Sequence, residues 1–152
     1  MAKPEWKKGR GRLGALKPLH GTWQCEFDGD MGKGTCTRTF TQVLDKAYVQ
    51  LNAVWAFESG KVYEEMALYG VDKASKEVRF FSFTSDGKRS EGKLVEAPDL
   101  PEGAIAFEAQ MPAGLARMAY WPEDEGLIWT VESHTKKGWN RFLRHVYAPT
   151  GV

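Results

Sequence analysis

What most limits the fold of this chain is a long succession of short segments in which apolar and polar residues alternate, each closed by turn residues. In Thr22–Phe27, Trp23, Cys25 and Phe27 alternate with Thr22, Gln24 and Glu26, the period of two expected of a half-buried strand. Ala47–Phe57 carries Val49, Leu51, Ala53, Trp55 and Phe57 on one face and is the cleanest alternation in the chain. Further segments of this kind cover Thr35–Val43, Val62–Val71, Glu77–Thr84, Arg89–Glu96, Ala104–Met111, Leu115–Trp121, Leu127–His134 and Trp139–Tyr147. The breaks between them, such as Gly29–Gly32, Ser59-Gly60 and Ser85–Lys88, hold glycine, serine and aspartate, the residues that tight turns need. A helical period of 3.6 is confined to a single turn around Leu13–Leu19.

Ten strands joined by short loops predict an antiparallel meander. A flat sheet of that size would leave two open edges and no core, so the expected fold is all-β: a ten-stranded antiparallel up-and-down barrel with a short N-terminal helical turn. A chain of 152 residues suits one such domain. The expected layout is a basic tail over 1–12, the barrel over 13–148 and a C-terminal tail over 149–152.

Pairing the hairpins tests which face is interior. About Gly29–Gly32, Trp23 meets Arg38 and Cys25 meets Cys36. About Ser59-Gly60, Phe57 meets Val62, Trp55 meets Glu64 and Ala53 meets Met66; Met66 then meets Phe83, and Leu68 meets Phe81. Later, Phe107 meets Ala119, Ala109 meets Arg117, Trp129 meets His145 and Leu127 meets Tyr147. The face so defined is apolar for the most part, yet it holds Arg38, Glu64, Arg79, Arg117, Arg141, His145 and Tyr147. Unpartnered charges cost several kcal/mol each to bury. The expectation is therefore a wet cavity lined by aromatic and cationic groups, which suits a small apolar, carboxylate-bearing ligand. Its expected contacts are Trp55, Glu64, Met66, Phe81, Phe83, Arg117, Trp129, Arg141, His145 and Tyr147. The outward face keeps two apolar patches, Val54/Tyr63/Tyr69/Val78/Phe80 and Met118/Tyr120/Ile128/Phe142/Val146, which predict a homodimer.

Charge adds a partition. The formal net charge is +1, from 21 basic and 20 acidic residues. Residues 1–20 hold six of the basic residues (Lys3, Lys7, Lys8, Arg10, Arg12, Lys17) and only Glu5 of the acidic ones, leaving 15 and 19 for the rest. The basic run is short and isolated, so it reads as a solvated tail, with no nucleic-acid partner expected. It lacks the apolar stretch of a signal peptide, and no segment approaches the roughly 18 apolar residues of a membrane span. A cytoplasmic location follows as the expectation, in which Cys25 and Cys36 would be neighbouring thiols.

Chemical motifs are sparse. The chain has no Gly-x-Ser-x-Gly elbow, no phosphate-cradling glycine loop and no zinc-ligand spacing. An acid–base pair of Glu64 with His145 or Tyr147 is the one enzymatic arrangement the register offers.

The stretch Leu16-Lys17-Pro18-Leu19-His20-Gly21-Thr22-Trp23 resembles the helical turn and Gly-x-Trp start of the calycin barrels: lipocalins, fatty-acid-binding proteins and nitrobindins. Leu44–Val49 and Tyr69–Lys73 are similar to a bacterial domain family of unknown function in that superfamily. The resemblance covers roughly 13–148 and implies a ten-stranded, ligand-binding barrel with no obvious chemistry. Fatty-acid-binding proteins hold a carboxylate with Arg-x-Tyr on the last strand, where this chain has His145-Val146-Tyr147. Likeness to nitrobindins implies ferric haem on a last-strand histidine, which here is His145. The glycine-rich first strand and the strand-four histidine of that group are replaced by Gln24-Cys25-Glu26 and Glu64.

Overall fold

A computed structural model describes residues 6–124 and 126–150. A 3-10 helix, Leu13–Leu19, precedes ten strands: β1 (Gly21–Gly29), β2 (Gly32–Val43), β3 (Tyr48–Phe57), β4 (Val62–Val71), β5 (Val78–Thr84), β6 (Arg89–Val95), β7 (Ile105–Met111), β8 (Gly114–Glu123), β9 (Gly126–Thr135) and β10 (Gly138–Pro149). Each strand pairs antiparallel with the next, and β10 returns to β1 to close the barrel. Number, order and antiparallel pairing of the strands are those the alternation predicts. Closure removes the edges that a meander would otherwise expose.

The two ends of the barrel differ. At one end the 3-10 helix acts as a plug: Leu16 and Leu19 are fully buried, and the Trp23 indole N–H donates to the Leu19 carbonyl at 2.9 Å. Burial of each leucine contributes about 1.5–3 kcal/mol. Above the plug, Leu51, Phe40, Tyr69, Phe80, Phe107, Tyr120, Leu127 and Tyr147 form a closed layer. Phe80 has room for its ring because β6 offers Gly92 there; a Cβ on Gly92 would lie 2.6 Å from Phe80 Cε2. At the other end, inward-facing Tyr63, Ala109, Met118, Val131, Leu143 and His145 remain only partly buried, so solvent reaches that half.

Two hairpins are displaced by one residue from the expected register, each through its loop length. Between β3 and β4 the loop is Glu58-Ser59-Gly60: the Phe57 N–H donates to the Lys61 carbonyl at 2.9 Å, and Gly60 takes the left-handed conformation (φ 95°). Three-residue hairpins end in such a residue. Trp55 therefore pairs with Tyr63 instead of Glu64, and Ala53 with Glu65 instead of Met66. One residue of slip sends every side chain to the opposite face. Glu64, Met66 and Leu68 thus point outward, while Tyr63, Glu65, Ala67 and Tyr69 point inward. Because Met66 still pairs with Phe83 and Leu68 with Phe81, the inversion carries into β5. Between β7 and β8 the loop has two residues where three were expected, so Phe107 meets Met118 and Glu108 meets Arg117.

A further irregularity lies in β10, where the register shifts between Arg141 and Leu143. The extra residue of a β-bulge redirects the strand, and Arg141 joins the outer face. There a second small core forms: Ala106, Ala119, Trp121 and Ile128 are covered by Val95 of β6 and by Ala97, Leu100 and Ala104 of the β6–β7 connection. The described part of the basic tail is also anchored. Trp6 is half-buried, and its indole N–H donates to the Gly103 carbonyl at 2.8 Å. The first five residues and the last two of the expected tails lie outside the described residues.

Candidate functional site

Arg38 defines the site. It projects inward from β2 near mid-barrel and is fully buried. Its place follows from the first hairpin, in which Trp23 and Cys25 pair with Arg38 and Cys36 and all four face the interior. The guanidinium lies 4.2 Å from the Trp129 ring centre and 5.7 Å from that of Tyr120. Arg38 Nη2 donates to the Tyr120 hydroxyl at 2.8 Å. Its nearest carboxylate oxygen, Glu65 Oε1, is 3.9 Å from Nη2, beyond hydrogen-bond range. Glu65 Oε2 instead accepts from Ser82 Oγ at 2.8 Å.

The polar valence around this arginine is incomplete. Arg38 Nε and Nη1, Trp129 Nε1, the Tyr69 and Tyr147 hydroxyls and His145 Nδ1 are all buried without a hydrogen-bond partner among the described residues. A buried polar group left unmatched costs about 1–3 kcal/mol, so two such atoms on the cation and four on residues around it form an environment organised for something that accepts hydrogen bonds. Burial opposes charge on Arg38, but Tyr120, Tyr147 and Glu65 reverse that and hold it protonated. Burial pushes the Tyr120 phenol up to about 12, so it stays neutral and can accept from Arg38.

Aromatic rings pack against one another beyond Arg38. Trp55 and Trp129 have ring centres 5.8 Å apart, and His145 lies 5.5 Å from Trp55 and 5.8 Å from Trp129. The Phe27 ring stacks on His145 at 5.9 Å. This stack spans the seam between β1 and β10, whose ladder pairs only Trp23 with Pro149 and Gln24 with Ala148. Beside the seam is a cleft of about 720 Å³ reaching Gln24, Arg144 and Val146. Cys25 and Cys36 pair across β1 and β2 as free thiols, and burial pushes the Cys25 thiol up to about 11. At neutral pH it is therefore an unreactive core group.

Of the residues expected to line the interior, Trp55, Trp129, His145 and Tyr147 are brought together. The remaining six are not. Met66, Phe81 and Phe83 are 46%, 48% and 45% exposed on the outer face, and Glu64 is exposed there too, far from a pairing with His145 or Tyr147. Arg79 also faces outward. Arg117 and Arg141 are outward as well, though Arg117 is buried beneath the β6–β7 connection: its Nε donates to Glu132 Oε1 at 2.8 Å, and Nη1 and Nη2 bind Asp99 at 2.9 and 2.8 Å. Arg141 Nε reaches Glu132 Oε2 at 3.3 Å.

The expected outer patches change accordingly. Tyr69, Val78, Phe80 and Tyr120 are core residues, Ile128 lies in the covered outer cluster, and Phe142 and Val146 stay exposed. Reading the sequence missed Glu65, Ser82, Tyr69 and Tyr120 as inward polar groups. Arg38 is placed inward by the sequence, opposite Trp23, and the structure keeps that register, but it is not among the expected ligand contacts.

Comparison with protein-family models gives no match, and comparison with curated proteins gives none either. The reading of this site therefore rests on its geometry.

Proposed function

We propose that this barrel is a small-molecule-binding protein, holding an apolar compound through a hydrogen-bond-accepting head group, carboxylate or otherwise, at Arg38. The observation that carries this reading is the buried guanidinium with two unpartnered nitrogens, flanked by further unpartnered donors and by packed aromatic rings. Small-molecule sites are built in this way, from apolar surroundings and a few convergent polar groups. The calycin resemblance agrees with this reading. The internal charge, however, is far more balanced than four inward arginines would have made it: Arg38 and Glu65 face each other with His145 near the mouth.

Native mass spectrometry of the protein as expressed should show an added small mass. Titration with an apolar fluorophore should quench tryptophan emission, because Trp129 lies against Arg38 and Trp55 against Trp129. Arg38→Met should weaken that binding about tenfold, the equivalent of one hydrogen bond to a charged group. No added mass together with unchanged emission would refute the reading.

Haem on His145 fits this geometry poorly. Histidines that hold a metal donate their second ring N–H to an acceptor that fixes the ring. His145 Nδ1 is buried with no acceptor among the described residues, and Phe27, Trp55 and Trp129 crowd its ring at 5.9, 5.5 and 5.8 Å.

A further inference from the structure

We infer that the head group taken by this site is a neutral, planar donor–acceptor edge, such as a lactam or primary amide, and not a free carboxylate. This rests on the proposed binding function and specifies its ligand class. The observation is a charge pair held apart: Arg38 Nη2 and Glu65 Oε1 face each other across 3.9 Å. The one hydrogen bond Glu65 accepts, from Ser82, ends on its other oxygen, while Arg38 Nε and Nη1 find no acceptor. An arginine and a carboxylate free to collapse onto each other would do so at hydrogen-bond distance. Here Ser82 and Tyr120 each hold one member back.

A group with a carbonyl beside an N–H completes both members at once. The carbonyl accepts from the guanidinium and the N–H donates to Glu65 Oε1. The site's own charges already balance, so a neutral ligand adds no net charge beside the buried Arg38. A carboxylate would satisfy Arg38 but bring a like charge against Glu65, which such surroundings make costly. Planarity follows from the head group itself, since a carbonyl and an N–H can engage Arg38 and Glu65 together only from one amide plane.

Three probes of similar size separate the possibilities in the wild-type protein: 2-pyridone, N-methyl-2-pyridone and benzoate. Tryptophan quenching and the Arg38 Nε–H resonance report on the complexes. We expect 2-pyridone to bind about tenfold more tightly than either of the others, since N-methylation replaces the donor by a methyl group and benzoate replaces it by a charged oxygen. In Glu65→Gln the like-charge penalty disappears, and benzoate should come within about threefold of 2-pyridone. Benzoate as the tightest ligand of the wild type, or equal binding of 2-pyridone and its N-methyl analogue, would overturn the inference and leave the binding function standing. Failure of all three to quench emission or move the Arg38 resonance, with the fluorophore also unbound, would remove both.

Discussion

Among the described residues two arginines are buried, and they are opposite cases. Arg117, on the outer face, is 3% exposed yet uses all three guanidinium nitrogens on the carboxylates of Asp99 and Glu132, with its Cζ 4.4 Å from the Trp139 ring centre. Arg38, inside the barrel, is wholly buried but has one hydrogen bond, to a neutral phenol, and a carboxylate just out of reach. Burial alone therefore does not mark a site. What separates them is whether local structure has already matched the donors. Arg117 clamps the β6–β7 connection over a strand pair, a structural task with fixed partners. Arg38 has donors to spare, and spare buried donors persist in a folded protein when some other requirement keeps them.

The comparison predicts unequal responses to the same substitution. Arg117→Met would leave the Glu132 carboxylate, whose side chain is 5% exposed, with only the longer Arg141 contact at 3.3 Å. Removing one partner of a buried pair costs about 3–5 kcal/mol, and urea denaturation should show that loss. Arg38→Met replaces an under-matched charge with an apolar chain of similar length. Glu65 keeps its Ser82 hydrogen bond and partial access to solvent, so the loss should stay below about 2 kcal/mol while ligand binding falls. Equal destabilisation by the two substitutions would erase the distinction.

These arginines also show what a sequence of this kind discloses. Strand number, order and closure follow from alternation, because each strand needs one apolar face and closure alone buries ten of them. The inner face depends on hairpin loop length, and a count of turn residues leaves that ambiguous by one. Ser59-Gly60 looks like a two-residue turn, but Glu58 completes a three-residue loop with Gly60 in the left-handed conformation. That single residue exchanges Glu64 for Glu65 and moves Met66, Phe81 and Phe83 from cavity to exterior. Arg117 misleads differently: its burial comes from a long connection folded over the outside, which no local pattern encodes.

A smaller effect separates the two partners of Arg117. The Arg117 guanidinium holds the Asp99 carboxyl below the usual carboxylate range. The Asp99 side chain is nevertheless 53% exposed, so solvent screens the pair. Asp99→Asn should cost only about 0.5–1 kcal/mol, with Glu132 still bonded to the arginine. A loss comparable to that of Arg117→Met would mean that the connection, and not the buried carboxylate, is what the arginine stabilises.

The weakest effect probes the charge of Arg38 itself. Burial, and then the nearby Arg38 cation, depress the pKa of His145 below its ordinary 6.5. As pH falls below about 6.5 the unfolded chain takes up this proton while the folded one resists, so stability drops on acidification. His20 behaves alike, through burial and then Lys17. His145→Phe should therefore shrink the gap between urea midpoints at about pH 7.5 and 5.5 without abolishing it, a difference under about 1 kcal/mol after screening. The carboxylates held low, Asp72, Glu77, Asp86 and Asp99, titrate further down and act equally in both proteins. In Arg38→Met the His145 resonance should titrate at higher pH than in the wild type, whereas Arg117→Met should leave it in place. An unmoved His145 in Arg38→Met would show that burial alone sets its pKa, and that the interior cation is more fully screened than its missing partners imply.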